Sequence, residues 1–432
     1  MLKRALIGVA AIIIVGGIVL FALAWRPTLA PIDPPAASDF SADVVERGAQ
    51  LAAAGNCASC HTADNGAFAG GYAIETDFGT IYSTNITPHP DSGIGRWSQD
   101  AFARALRDGV RRDGAQLLPA MPYTHFTLLS DEDVGALYAY FMTIDPVDNT
   151  PSANELPFPY SVRALQGGWK LLNFSGGTYA ADPDKDDVWN RGAYLAEGLG
   201  HCAACHSPRN GLGAVQDGAQ AYAGNFINGW YAPAINADPD APLPWTADDL
   251  EAYLRTGASP LHGVAVGSMS EVVHEGLAAL PDDDVRAIAV YLSDRFGAPE
   301  AIPAEEIAAA SMAAGEDELG ESEARGRQLY VSYCASCHFN RPGAPSELRP
   351  ELALNSAITG PDPTMFLHAV LEGVSIPDGH PSVEMPAFDF LLTDQDVADI
   401  AAYLRAVYAD GSSGDWANLA ARVEDHHMEE SH

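Results

Sequence analysis

Three stretches of the chain carry apolar residues at the three-residue period of a half-buried helix. Val134, Leu137 and Tyr140 recur as Val285, Ile288 and Tyr291, then as Val397, Ile400 and Tyr403. That spacing puts each trio on one face, and the Asp, Ser and Thr residues leading each stretch suit a helix N-terminus. Helices are therefore predicted over 131–141, 282–292 and 394–404. Segments 44–54 and 189–197 read as helices of the same kind, lying upstream. Trp97 and Trp245 each open another acidic, apolar-periodic segment, 24 residues before a Met in both cases.

These elements belong to one unit present three times. Each copy opens on Arg-Gly: Arg47-Gly48, Arg191-Gly192 and Arg325-Gly326. About ten residues on comes a cysteine motif, and later a Gly stands twelve residues before a Met: Gly109 and Met121, Gly257 and Met269, Gly373 and Met385. The periodic helix closes the copy. Domains are expected over 40–146, 186–298 and 322–410, giving an all-α chain of three tandem domains. The first linker holds Pro151, Pro157 and Pro159, then an apolar stretch, 162–174, expected to pack as a helix between domains or on a partner. The second, 298–323, has eight acidic residues and no basic one, and reads as a solvated tether. The acidic, His-containing tail, 411–432, reads as a frayed terminus, with weak metal binding through His426 and His427 as the rival.

The N-terminus breaks the pattern. Lys3 and Arg4 precede 21 apolar residues, 5–25. At about 1.5 Å per residue that run spans roughly 31 Å, the thickness of a bilayer core. The length favours an uncleaved membrane anchor over residues 1–26; Ala22-Leu23-Ala24 offers a cleavage site for a signal segment instead. Either way the basic end stays in the cytoplasm and the rest is exported. The stretch from Pro27 to Pro35 reads as a stiff spacer. Hydrophobic content of 47% supports packed cores, and a net charge of −35 argues against nucleic-acid binding. Within this acidic chain Arg96, Arg104, Arg107, Arg111 and Arg112 cluster, either towards a partner or the acid groups of a bound ligand or as a solvated helix face.

All six cysteines fall in the repeats, as Cys57-Ala58-Ser59-Cys60-His61, Cys202-Ala203-Ala204-Cys205-His206 and Cys334-Ala335-Ser336-Cys337-His338. Cys-x-x-Cys-His is the attachment signature of c-type haem. Two thiols form thioethers to the haem vinyl groups, and the adjacent His meets the iron. A disulfide framework fits poorly because every Cys falls in a short motif, and a zinc site or a redox dithiol would leave the three histidines unexplained. Three covalently bound haem c groups are expected, with His61, His206 and His338 as proximal ligands. Met121, Met269 and Met385 are the expected distal ligands, since His/Met ligation is usual in cytochromes c. Met142, in the closing helix, suits a core role, and Met365 breaks the Gly-to-Met spacing. His125, His274 and His380 are the rival ligands. Tyr82 and Tyr231 occupy matching places before Trp97 and Trp245, and are expected in haem pockets or in ordinary core.

On these motifs the chain resembles the three-haem cytochrome c subunit of membrane-bound bacterial dehydrogenases, of the quinoprotein alcohol and the gluconate or sorbitol types. The resemblance also rests on Phe78 to Pro88, on Arg111-Arg112-Asp113-Gly114 leading to Pro119-Ala120-Met121-Pro122-Tyr123, on Arg191-Gly192-Ala193-Tyr194-Leu195, and on Gly229-Trp230-Tyr231-Ala232-Pro233. It covers about 40–410 and is looser in the third copy. It implies an electron-transfer subunit that does not itself oxidise substrate. Its haem domains would face the periplasm at the bacterial cytoplasmic membrane. Electrons would come from a quinoprotein, flavoprotein or molybdenum dehydrogenase subunit and go to ubiquinone or a terminal oxidase. A haem enzyme with one open coordination site and a tethered shuttle without a fixed dehydrogenase are the competing readings.

Overall fold

A computed structural model describes residues 4, 16–17, 25–227, 229–237, 241–259, 261–297, 321–338, 352–375, 384–409 and 416–430. Most of the apolar N-terminal run, most of the acidic linker at 298–320, and His380 lie outside the described residues. Among the described residues no helix is long and apolar enough to cross a membrane. The chain divides into two compact units. One holds 1–185, 193–204 and 209–215; the other holds 186–192, 205–208 and 216–432.

The first repeat runs α1 (Ala42–Ala54), α2 (Cys57–His61), a hairpin β1 (Ala73–Ile74) and β2 (Ile81–Tyr82), α3 (Gln99–Asp108), α4 (Tyr123–Phe126) and α5 (Asp131–Thr143). The Ser98 and Ser130 side chains accept from the amides of Ala101 and Asp133, capping α3 and α5 as their acidic, hydroxylated starts predict. After α5 the chain returns along the hairpin, where Thr80 and Glu155 exchange backbone hydrogen bonds. It then forms α6 (Leu165–Asn173), the helix expected from the apolar linker. Lys170 of α6 donates to the Asp108 and Gly109 carbonyls, at 2.5 and 2.8 Å, and to Gln116 at 2.7 Å. Its ammonium therefore caps the negative end of α3. Burial holds Lys170 down at about 8.

The second repeat starts with α7 (Asp187–Tyr194), which continues as a π-helical turn over Leu195–Leu199. Then come α8 (Ala203–His206), the hairpin β3 (Asn225–Ile227) and β4 (Trp230–Ala232), α9 (Ala247–Thr256), a short hairpin β5 (Ala258–Ser259) and β6 (Gly263–Val264), α10 (Ser268–Glu271) and α11 (Asp282–Arg295). The third repeat has α12 (Glu321–Tyr333), α13 (Ser356–Thr359), α14 (Thr364–Leu371), β7 (Val374–Ser375), β8 (Glu384–Met385) and α15 (Asp394–Tyr408). The tail differs from the frayed end expected of it. Residues Leu419–Glu430 form α16, and its Leu419 and Val423 are buried with Phe366, Ile400 and Leu404. Arg422 pairs with Asp362 at 2.8 Å.

One packing contact recurs in all three repeats and explains the Arg-Gly dipeptide. A Cβ on Gly48 would lie 2.0 Å from the Ala136 carbonyl oxygen; on Gly192, 1.9 Å from that of Ala287; on Gly326, 1.9 Å from that of Asp399. The opening and closing helices thus cross backbone to backbone, which only glycine permits. The preceding arginine reaches the acidic start of the same closing helix. Arg47 lies 3.2 Å from Asp133, Arg191 donates to both carboxylate oxygens of Asp284 at 2.7 and 2.8 Å, and Arg325 holds Asp396 and Asp399.

The basic cluster of the first repeat is also structural. Arg104 donates to the carbonyls of Pro27, Arg111 and Arg112, Arg112 to that of Leu29, and Arg107 to Asp131 and to the Leu129 carbonyl. With Leu29 N bonded to the Arg112 carbonyl and Ile32 N to that of Arg96, the proline-rich stretch lies along the first repeat. It is not the detached spacer that its composition suggests.

Gly192→Ala should lower the midpoint of thermal unfolding and destabilise by about 2 kcal/mol or more, the scale of overpacking. Gly211→Ala, where an added Cβ meets nothing within 4 Å, should leave it unchanged. Circular dichroism on both variants checks this; equal midpoints would show that the crossing is not tight.

Candidate haem sites

Each cysteine motif sits at the end of an opening helix. In the first two repeats the residue before the first Cys takes a left-handed conformation, Asn56 at φ 48° and His201 at φ 36°. This turns the chain sharply into the short motif helices α2 and α8. None of the six cysteines is in a disulfide. Burial pushes the Cys57 thiol up to about 12 and that of Cys334 to about 11. A redox dithiol works through a lowered thiol pKa, which burial at Cys57 and Cys334 opposes.

The motif histidines of the first two repeats are held alike. His61 Nδ1 lies 2.6 Å from the Thr84 carbonyl oxygen, and His206 Nδ1 lies 2.8 Å from that of Pro233. A carbonyl only accepts, so Nδ1 carries the proton and the Nε2 lone pair is left for a metal. Burial lowers both imidazoles below their ordinary range, against the opposing effect of the carbonyl bond, which keeps the neutral ligand form. Both carbonyls stand two residues after a matching tyrosine, Tyr82 or Tyr231, at the end of a hairpin. Tyr231 is buried, whereas the Tyr82 hydroxyl points to Glu155 at 3.4 Å.

Three further matches accompany these bonds. The amides of Gly70 and Gly224 donate to the carbonyls of His61 and His206, at 2.8 and 2.9 Å. Phe68 and Tyr222, two residues earlier, both have left-handed backbones, at φ 58° and 60°. A bulky residue there is strained by about 1–3 kcal/mol, a cost typical of functional sites. The carbonyls of Phe68 and Tyr222 accept from Ile86 and Ile235, two residues beyond Thr84 and Pro233. In the first repeat buried Asn85 fixes the segment. Its Nδ2 donates to the carbonyls of Val147 and Asn149, at 2.8 and 3.0 Å, and its Oδ1 accepts from Thr87 N and Oγ1, at 2.9 and 2.7 Å. The spacing patterns missed this machinery; the only signals were the shared Ala-Gly after Phe68 and Tyr222.

The Gly-to-Met spacing has a steric cause. Gly109, Gly257 and Gly373 end a helix or follow one, all with positive φ. A Cβ on them would meet the Tyr123 ring at 2.5 Å, His274 Nε2 at 2.6 Å and the Met385 carbonyl oxygen at 2.5 Å. Each glycine therefore packs against the segment carrying the methionine. Met121 lies in the turn before α4, Met269 in α10, and Met385 on β8, all partly buried. Met142 and Met365 are buried core residues of α5 and α14. Of the rival histidines, His125 bonds through Nδ1 to the Glu197 carbonyl at 3.0 Å, and its buried Nε2 meets no hydrogen-bond partner among the described residues. His274 packs beneath Gly257. His201, which the pattern of the chain did not single out, lies edge-on to Phe126 and near His125; burial holds it at about 4. In the third repeat Tyr330 Oη donates to the His338 carbonyl, and residues 339–351, where a matching hairpin would fall, lie outside the described residues.

Two cysteines and a neutral, carbonyl-oriented histidine on or immediately before one short helix are the donor set that haem c requires, and the first two motifs fit it. The comparisons with known proteins agree. Residues 45–145 match the family described as "Cytochrome c", and residues 321–404 the one described as "Cytochrome C oxidase, cbb3-type, subunit III". The chain is 46% identical to a subunit of nicotinate dehydrogenase from Pseudomonas putida over 94% of its own length, and it spans 34% of that longer protein. It is 40% identical to the gluconate 2-dehydrogenase cytochrome c subunit of Pantoea cypripedii, with 85% of this chain and 86% of that one covered. With the fructose dehydrogenase cytochrome subunit of Gluconobacter japonicus the identity is 38%, over 91% of this chain and 85% of that one. The chain belongs to the family of electron-transferring cytochrome c subunits of dehydrogenases.

Proposed function

We propose that this chain carries three covalently bound haem c groups and passes electrons from a dehydrogenase catalytic subunit to ubiquinone or a terminal oxidase. The observation that carries the reading is the pair of carbonyl-to-histidine bonds, Thr84 to His61 and Pro233 to His206, built the same way in two repeats. The third motif, Cys334 to His338, has the same residues at the same spacing.

When bound, haem c supplies a one-electron ferric/ferrous couple. The chain's own residues do the rest. Cys57 and Cys60, Cys202 and Cys205, and Cys334 and Cys337 anchor the group through thioethers. His61, His206 and His338 offer Nε2. Met121, Met269 and Met385 would complete the coordination and raise the potential, each carried by the segment that packs against Gly109, Gly257 or Gly373. No acid or base is needed, because only electrons cross the protein.

The relatives' names point to partners that oxidise nicotinate, gluconate or fructose, and an alcohol dehydrogenase of quinone type supplies a fourth. The partner here is taken to be a catalytic subunit of quinoprotein, flavoprotein or molybdenum type. The apolar run 5–25 would tether the chain to the cytoplasmic membrane, with the cytochrome domains in the periplasm. The three repeats would then form three cytochrome domains over about 40–146, 186–298 and 322–410.

Three measurements test this. Cys202→Ala should reduce covalent haem from three to two per chain, by haemochrome absorbance and intact mass; an unchanged count would refute the attachment scheme. Met269→Ala should lower one midpoint potential, within the span of about 0.8 V that axial ligands command, and add a high-spin ferric band. Unchanged potentials would reassign the ligand. Gentle detergent extraction from native membranes should bring down a large subunit carrying a quinone cofactor, flavin or molybdenum. A cytochrome that always emerges alone would favour a tethered shuttle.

A further inference from the structure

The tail helix brings a second set of metal-binding donors together, away from the cysteine motifs. His368 lies on α14, Glu372 immediately beyond its end, and His426 on α16. One donor atom from each lies within 4.8 Å of the other two. Glu372 Oε1 is in contact with His368 Nδ1 and lies 2.9 Å from His426 Nε2. The two imidazoles are mostly buried, with 14% and 9% of their side chains exposed.

The convergence of three donor atoms on mostly buried rings is what points to an ion. His368 Nε2 lies 3.1 Å from the Gly229 carbonyl oxygen, which can only accept, so Nε2 carries the ring proton. In the neutral ring Nδ1 is then a lone pair facing a carboxylate oxygen. That contact is satisfied either by a second ring proton or by a cation held by both groups. An imidazole that donates its other N–H to a carbonyl, beside a carboxylate and a second imidazole, is how proteins orient metal-ligating histidines. His368 is fixed further by stacking on Trp230, with centroids 3.9 Å apart and planes at 14°. His426 is fixed because Leu419 and Val423 bury α16 in the core and Arg422 grips Asp362.

We propose that His368, Glu372 and His426 bind a divalent transition-metal ion of the zinc class, through two imidazole nitrogens and one carboxylate oxygen. Zinc takes this donor set at about 2.0–2.1 Å, with water in a fourth position. The ion would tie α14 and α16 together. Through His368 and Trp230 it would steady the β3–β4 hairpin, whose next residues carry the Pro233 carbonyl that orients His206. The site is independent of the electron-transfer reading, since no cysteine motif contributes to it.

The test uses the full-length, haem-loaded chain, stripped with chelator, exposed to Zn2+ alone and gel-filtered before elemental analysis. One zinc per chain should be retained. Glu372→Gln and His426→Ala should each weaken zinc binding by about tenfold or more, with the haem spectrum reporting that the variants are folded. His426→Cys, which replaces one ligand with another, should restore retention. X-ray absorption at the zinc edge of the wild-type chain should show two imidazoles and oxygen donors, a readout that does not depend on any variant folding. Failure of the wild-type chain to retain zinc, undiminished retention by both variants, or a zinc shell without two imidazoles would each overturn the proposal and leave the cluster as a set of imidazolium–carboxylate pairs.

Discussion

The glycine crossing of opening and closing helix is the contact from which the rest of each repeat is measured. The haem motif lies within about a dozen residues of Gly48, Gly192 or Gly326, so the crossing fixes where the cysteines emerge relative to the closing helix. Two helices in backbone contact exclude water and side chains between them, and dispersion at that distance is gained along both backbones. The neighbouring arginine adds register. It meets an aspartate one turn earlier on the closing helix, where a carboxylate already suits the helix N-terminus. Asp133 and Asp284 are nearly buried. Without their arginines they would be left as poorly solvated charges, which is costly in a way that the intact pair is not. Asp133 also accepts from Tyr194 Oη at 2.7 Å, so one carboxylate serves two helices.

Around that frame the chemistry is set more by the main chain than by side chains. Backbone carbonyls decide the tautomer of His61 and His206, backbone amides of Gly70 and Gly224 hold the histidines' own carbonyls, and left-handed Phe68 and Tyr222 bend the chain so that both are possible. Burial does the electrostatic work by disfavouring imidazolium and thiolate alike. The same reliance on main-chain acceptors appears away from the motifs, in Lys170 and Arg104, whose charged groups are spent largely on carbonyls.

This explains what could be read in the sequence and what could not. The helices announced themselves because burial imposes a period, and Val134, Val285 and Val397 sit where the period puts them. Cys-x-x-Cys-His is legible because its chemistry needs those side chains at that spacing. Arg-Gly was visible as a repeat, but its cause was not, since a close backbone approach leaves no trace beyond the absent Cβ. The carbonyls of Thr84 and Pro233 were invisible for a simpler reason: every residue has one. The tail misled because Leu419 and Val423 supply too few apolar positions to signal a helix, and their burial depends on a cluster to which α14 and α15 contribute Phe366, Ile400 and Leu404. The proline-rich stretch misled likewise, since its partners are carbonyls and arginines far along the chain.

The use of Thr84 in one repeat and Pro233 in the other has an evolutionary consequence. An orienting group borrowed from the main chain cannot be removed by a point substitution; it is lost only if the hairpin changes course. The residue bearing it is then free to answer to other demands, as threonine and proline, with nothing in common as side chains, illustrate. Drift in a duplicated repeat can thus remodel the surface that meets a new dehydrogenase while the ligand's tautomer and aim are inherited intact.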